Sequence, residues 1–161
     1  MKRRVSHDVF CKFHDQIHLT GCCSCYGGPA CFSNEGAIGA RQGQFKIMAL
    51  NIGVLGGMAR GTVEYDAAQA QIAADNLAAI SQLSQAFNWP EGSDMMAATT
   101  NRALPAIWEN QDDFLAKWAA FGTAATGLQA AAGNGLEAMQ AALGPVGGSC
   151  GACHDAYRQP Q

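Results

Sequence analysis

The chain has 161 residues, 48% of them hydrophobic and only 14% charged, with a formal net charge of −3. That length suits one domain of roughly 100–200 residues, and the mildly acidic balance excludes the basic footprint of a nucleic-acid binder. No run approaches the ~20 apolar residues of a membrane-spanning helix, so membrane insertion is not expected.

Residues 1–34 stand apart. Met1-Lys2-Arg3-Arg4 looks like the basic start of a secretory signal, but Val5 to Phe10 is too short and too polar for the apolar stretch of roughly 7–15 residues that should follow. Cys11, Cys22, Cys23, Cys25 and Cys31 crowd into this segment, together with His7, His14 and His18. Cys11, His14, His18 and Cys22 offer zinc-type donors, yet their spacing matches no paired finger. The segment reads as a leader or a non-native extension without ordered structure. Gly27-Gly28-Pro29 marks the break before a folded domain over 35–161.

The rest is helical by period. Phe45, Met48, Ile52, Leu55 and Ala59 recur at steps of three and four, which predicts a first helix over about 36–60. A second opens at Asp66, carries Ile72, Leu77, Ile80, Leu83 and Phe87 on one broad face, and ends before Pro90. Residues 89–103 read as a long connection. Pro105 opens a third helix, with Ile107, Phe114, Trp118, Phe121, Ala125 and Leu128 in core phase. Gly133-Asn134-Gly135 is the turn before the fourth. There Leu136, Met139, Leu143, Val146, Cys150, Cys153 and Tyr157 keep the same steps, with Pro145 expected to bend the helix and Gly147-Gly148 to admit a flat ligand. The fold class is all-α, an antiparallel four-helix bundle.

The fourth helix carries the chemistry. Cys150-Gly151-Ala152-Cys153-His154 is the attachment signature of c-type haem, with two thiols for the vinyl groups and an imidazole for iron. On a helix, the cysteines share a face and His154 lies one turn beyond Cys150. A zinc half-site lacks a second ligand pair in this region, and a thioredoxin-like motif lacks its βαβ setting. One covalently bound haem c, enclosed by the bundle, is therefore expected. A haem-free helical binding protein with a redox or metal site at Cys150 and Cys153 is the alternative from another class.

From Arg41-Gln42, Tyr65-Asp66-Ala67-Ala68 and Pro105-Ala106-Ile107-Trp108 to Val146-Gly147-Gly148-Ser149 and the terminal Cys150 to Arg158, residues 35–158 resemble cytochrome c′. The resemblance implies His154 as axial iron ligand and Cys150 and Cys153 as thioether anchors. It also implies Arg41 and Gln42 at the haem propionates and Arg158 on the proximal side. Phe45 falls at the distal position, where a side chain without a lone pair leaves iron five-coordinate and high-spin. Nitric oxide and carbon monoxide are then the implied ligands, with electron transfer to an unidentified redox partner as a further role and no enzymatic turnover. Met48, one turn along the same stripe, is the alternative distal ligand of a six-coordinate, low-spin carrier. Trp108, Trp118 and Phe121 are candidate pocket or core residues, and Arg102 a candidate propionate contact. The resemblance also implies a homodimer through the first two helices, with Met58, Ala70 and Ala74 as candidate contacts, and a periplasmic location.

Overall fold

The computed structural model describes residues 33–160. All of the expected 1–34 leader but Ser33 and Asn34, with Cys11, Cys22, Cys23, Cys25, Cys31 and its three histidines, lies outside the described residues, and those two belong instead to the start of the first helix. Five helices follow in order: α1 (Asn34–Ala59), α2 (Ala67–Ser81), α3 (Ala106–Glu109), α4 (Gln111–Ala131) and α5 (Leu136–Tyr157). The only pairing of extended backbone among the described residues is an isolated antiparallel bridge between Ala103 and Arg158. No described helix is long and apolar enough to cross a membrane.

The helix ends follow from local chemistry. The Ser33 hydroxyl accepts the Gly36 N–H at 3.1 Å, and the Asp66 carboxylate accepts the Gln69 N–H at 2.8 Å. Each satisfies a donor that the first turn of a helix leaves free. Gly61 turns the chain out of α1 with φ +70°, a conformation that glycine reaches without a Cβ clash. The Tyr65 hydroxyl then donates to the Ala132 carbonyl (2.8 Å) and accepts the Gly135 N–H (3.0 Å), tying the α1–α2 connection to the α4–α5 turn.

α1, α2, α4 and α5 form the bundle. α4 packs on α5 and α2, while α1 packs on α2 and α5. The main core unites Leu55 and Met58, Leu77, Leu128, Met139 and Val146, with Ala70, Ala73, Ala74 and Ala125 letting the backbones approach. Met58, Ala70 and Ala74 are therefore fully buried within one chain and are unavailable to a partner subunit. A second, smaller cluster joins Ala103, Ile107, Phe114 and Tyr157, with Trp89, Trp108 and Cys153 packed against it.

Three expectations are corrected. α2 stops at Ser81 rather than near Asn88, and three of the apolar residues expected on its face are exposed: Ile72 within it at 60%, and Leu83 and Phe87 beyond it at 52% and 72%, while Leu77 is buried as expected. The buried face of α2 consists of alanines, Leu77 and Ser81. The third predicted helix is broken at Asn110 (φ −132°, ψ 51°), which separates a single turn carrying Ile107 and Trp108 from α4. Gly147 and Gly148 are exposed and do not line the cavity described below, so they are not the approach to a ligand. α5 runs through Pro145 as one element.

Candidate haem site

The unbroken register of α5 turns Cys150 toward the main core and Cys153 toward the second cluster, with His154 beside it. These residues line a cavity of about 520 Å³, within the usual range for a buried ligand. Opposite chain segments complete it: Arg41, Gln42, Phe45, Met48 and Ile52 from α1, and Phe114, Lys117, Trp118 and Phe121 from α4. Trp89 and residues 100–103 of the connection contribute as well. All seven expected haem-contacting residues are thus brought together: Arg41, Gln42, Phe45, Cys150, Cys153, His154 and Arg158. Trp118, Phe121 and Arg102 also line the cavity, whereas Trp108 does not; its indole N–H donates to the Trp89 carbonyl at 3.1 Å.

The lining suits an apolar macrocycle bearing two carboxylates. Its walls are largely aromatic and aliphatic, and its charged members are Arg41, Arg102, Lys117 and Arg158, with no Asp or Glu among the lining residues. In a chain of net charge −3, that is a marked asymmetry. Where haem binds, Cys150 and Cys153 would hold its edge and His154 its iron, with Arg41, Gln42 and Arg102 available to its carboxylates.

Electrostatics favour the same roles. Burial pushes the Cys150 and Cys153 thiols upward, so neither is a spontaneously ionised nucleophile. Burial and then the Arg158 charge hold His154 below its ordinary value, partly opposed by Asp155, with Arg102 adding to the lowering. A neutral imidazole keeps the lone pair that a metal requires. The Tyr157 hydroxyl donates to the Asp113 carboxylate, which also pairs with Lys117 at 3.2 Å. That bond pushes the Tyr157 phenol up to about 12 and lowers Asp113.

Arg41 and Gln42 have partners that periodicity did not reveal. Arg41 is 3% exposed. Its Nη1 donates to the Asn88 carbonyl (3.1 Å) and the Ser93 hydroxyl (2.8 Å), and its Nη2 to the Ser93 carbonyl and Asn101 Oδ1. Its guanidinium also lies 4.4 Å over the Trp89 ring, a cation–π contact. Gln42 donates to the Thr100 carbonyl at 2.8 Å. Burial brings the Arg41 pKa down to about 10, which leaves it charged at neutral pH. The 82–104 connection is therefore strapped to α1 across the cavity wall. Trp89 and Asn101 line the cavity, and Asn88 and Ser93 hold Arg41 from behind it; spacing missed all four, and the polar residues of the connection were marked only by its cluster of turn formers.

Cys-X-X-Cys-His in core phase on the last helix of a bundle, beside a cation-rimmed apolar cavity, defines a class: helical bundles built around covalently attached haem. Within that class, the chain belongs to the cytochrome c′ family, whose family model (Cytochrome C') matches residues 36–158. It is 43% identical over 125 residues to cytochrome c-554 of Cereibacter sphaeroides, covering 78% of this chain and 82% of that one. The solved cytochrome c' from Rhodobacter Spheriodes superposes with a TM-score of 0.78 at 36% identity, covering 80% of this chain and 99% of that one. A nitric oxide complex of a variant of cytochrome c prime from Alcaligenes xylosoxidans superposes with a TM-score of 0.69 at 35% identity, covering 80% and 98%. The cofactor is haem c, covalently attached, so the haem-free alternative gives way.

Proposed function

We propose that this chain is a gas-binding cytochrome in which His154 is the axial ligand and Cys150 and Cys153 are the thioether anchors. Bound haem supplies an iron that takes a diatomic ligand or exchanges an electron. The observation that carries the reading is Phe45: a side chain with no donor lines the same cavity as His154, edge to face with Trp118 and tilted against Trp89. Phenylalanine fills the approach without competing for the metal, which favours a five-coordinate, high-spin state open to nitric oxide or carbon monoxide. Arg41 and Gln42 orient the propionates while holding the connection, and Arg158 sets the field on the proximal side.

Met48 carries the second reading, a six-coordinate low-spin carrier, because it also lines the cavity. Against that role, Met48 is 9% exposed and belongs to the main core with Leu55 and Phe121, the packing use that methionine commonly serves. The absorption spectrum of the haem-loaded protein tests both. A broad high-spin Soret band that shifts with carbon monoxide and nitric oxide supports the proposal; a low-spin spectrum indifferent to carbon monoxide moves the assignment to Met48.

Haem attachment of this type favours an exported, periplasmic protein, with electrons exchanged with a redox partner. Ile47 and Leu50 on α1 and Ile72 on α2 are exposed apolar residues that support homodimerisation through these helices.

A further inference from the structure

Ala103 stands where two hydrogen-bond systems meet. Its N–H donates to Asn101 Oδ1 at 2.9 Å and its carbonyl accepts from the Met95 N–H at 2.8 Å, both inside the connection. The flanking groups face the other way. Leu104 N–H donates to the Tyr157 carbonyl at 3.0 Å, and the Arg102 carbonyl accepts from the Gln159 N–H at 2.9 Å. This is the antiparallel bridge to Arg158, in which successive backbone groups alternate between facing the partner and facing away. The Arg102 side chain adds a bond from Nε to the Gln159 carbonyl at 3.0 Å.

Asn101 joins that bridge to α1. Its Oδ1 accepts both the Ala103 N–H and Arg41 Nη2, the latter at 3.2 Å. Its Nδ2 donates to the Ala98 carbonyl at 2.7 Å and the Asp94 carbonyl at 3.2 Å. A continuous series of contacts therefore runs from Arg41 through Asn101 and Ala103 to Arg158, four residues past His154. Arg158 lies at the C-cap of α5 in extended conformation, and its N–H still donates to the His154 carbonyl at 3.0 Å.

We propose that Asn101 is a positioning residue that couples Arg41 on α1 to the Arg158 backbone, so that both faces of the cavity move together. The inference takes its functional meaning from the site reading above, but the coupling is a property of the polypeptide. One amide oxygen accepts from both sides, alongside the apolar packing of Ala103 against Tyr157.

Amide hydrogen exchange on the haem-loaded protein tests the coupling. Asn101→Ala is expected to speed exchange roughly tenfold at Leu104 and Gln159, the scale of one or two lost hydrogen bonds. Asn101→Asp keeps the Oδ acceptors and is expected to restore most of the protection. The iron–imidazole stretching band of the reduced protein should shift in Asn101→Ala and return in Asn101→Asp. Faster exchange at Ala103, with Leu104, Gln159 and that band unchanged, overturns the proposal. If Asn101→Ala does not fold, Arg41→Lys, which withdraws the planar fork from Asn101, is read at the same amides with the same criterion. The exchange pattern needs no particular spin state, so a low-spin spectrum with coupled exchange would sink the functional reading and leave the coupling standing.

Discussion

Phe45 of α1 meets Trp118 of α4 edge to face, with ring centroids 6.4 Å apart and an interplanar angle of 80°. The two rings hold the helices at a fixed separation and keep the cavity wall apolar between them. Phe45 also reaches Trp89 of the connection at 6.4 Å, so this one α1 side chain touches two other segments around the site.

Replacing that ring with a flexible thioether gives the sharpest test of the distal assignment. Phe45→Met should move the iron toward low spin and slow or abolish carbon monoxide binding, read from the Soret band and from ligand titration. Gas binding indifferent to the substitution would remove Phe45 from the distal role.

The two thiols predict a graded covalent phenotype. Cys150→Ala or Cys153→Ala should each retain haem through one thioether, with a changed reduced-state spectrum. The double variant should release haem into acidified solvent. Mass spectrometry of the intact chain distinguishes the three products directly.

The Tyr157–Asp113 bond gives stability an alkaline edge. Because the folded phenol titrates at about 12, above its ordinary value of 10.0, its contribution is full below pH 10 and is lost as the pH rises through 12. Asp113 acts in the opposite range: its lowered pKa adds stability above its ordinary value of 3.8, which is lost on acidification. Tyr157→Phe should lower the thermal midpoint at neutral pH and flatten its fall between pH 10 and 12. A profile parallel to that of the unsubstituted protein would contradict the assignment.

Tyr65→Phe leaves the Ala132 carbonyl and the Gly135 N–H without the hydroxyl they share. A cost of about 1–2 kcal/mol is expected, as a lower urea midpoint at unchanged slope. The absorption spectrum should not change, because Tyr65 does not line the cavity.

The helices were legible where spacing and caps agree. α5 holds its predicted phase from Met139 to Tyr157, because each buried residue there sits on the stripe that periodicity picks out. α2 was read only in part: Leu77 and Ile80 of the expected face do pack on the core, but Ile72, Leu83 and Phe87 do not, and most of the contact face is made of alanines whose value lies in their small size. Cys150, Cys153 and His154, which line the cavity, were legible as candidates because their chemistry is compressed into five consecutive residues. The bonds from Arg41 to Ser93 and Asn101 were not legible, since they join polar groups more than fifty positions apart and follow no period. Asn110 breaks its helix by a backbone choice that a permissive residue allows but does not announce.

The strap over residues 82–104 contains no α-helix, so its release from the polar bonds and the aromatic packing that fasten it would withdraw little signal from far-ultraviolet dichroism. A melting curve would pass over such an opening in silence, while the emission of Trp89, lifted from its guanidinium, would record it.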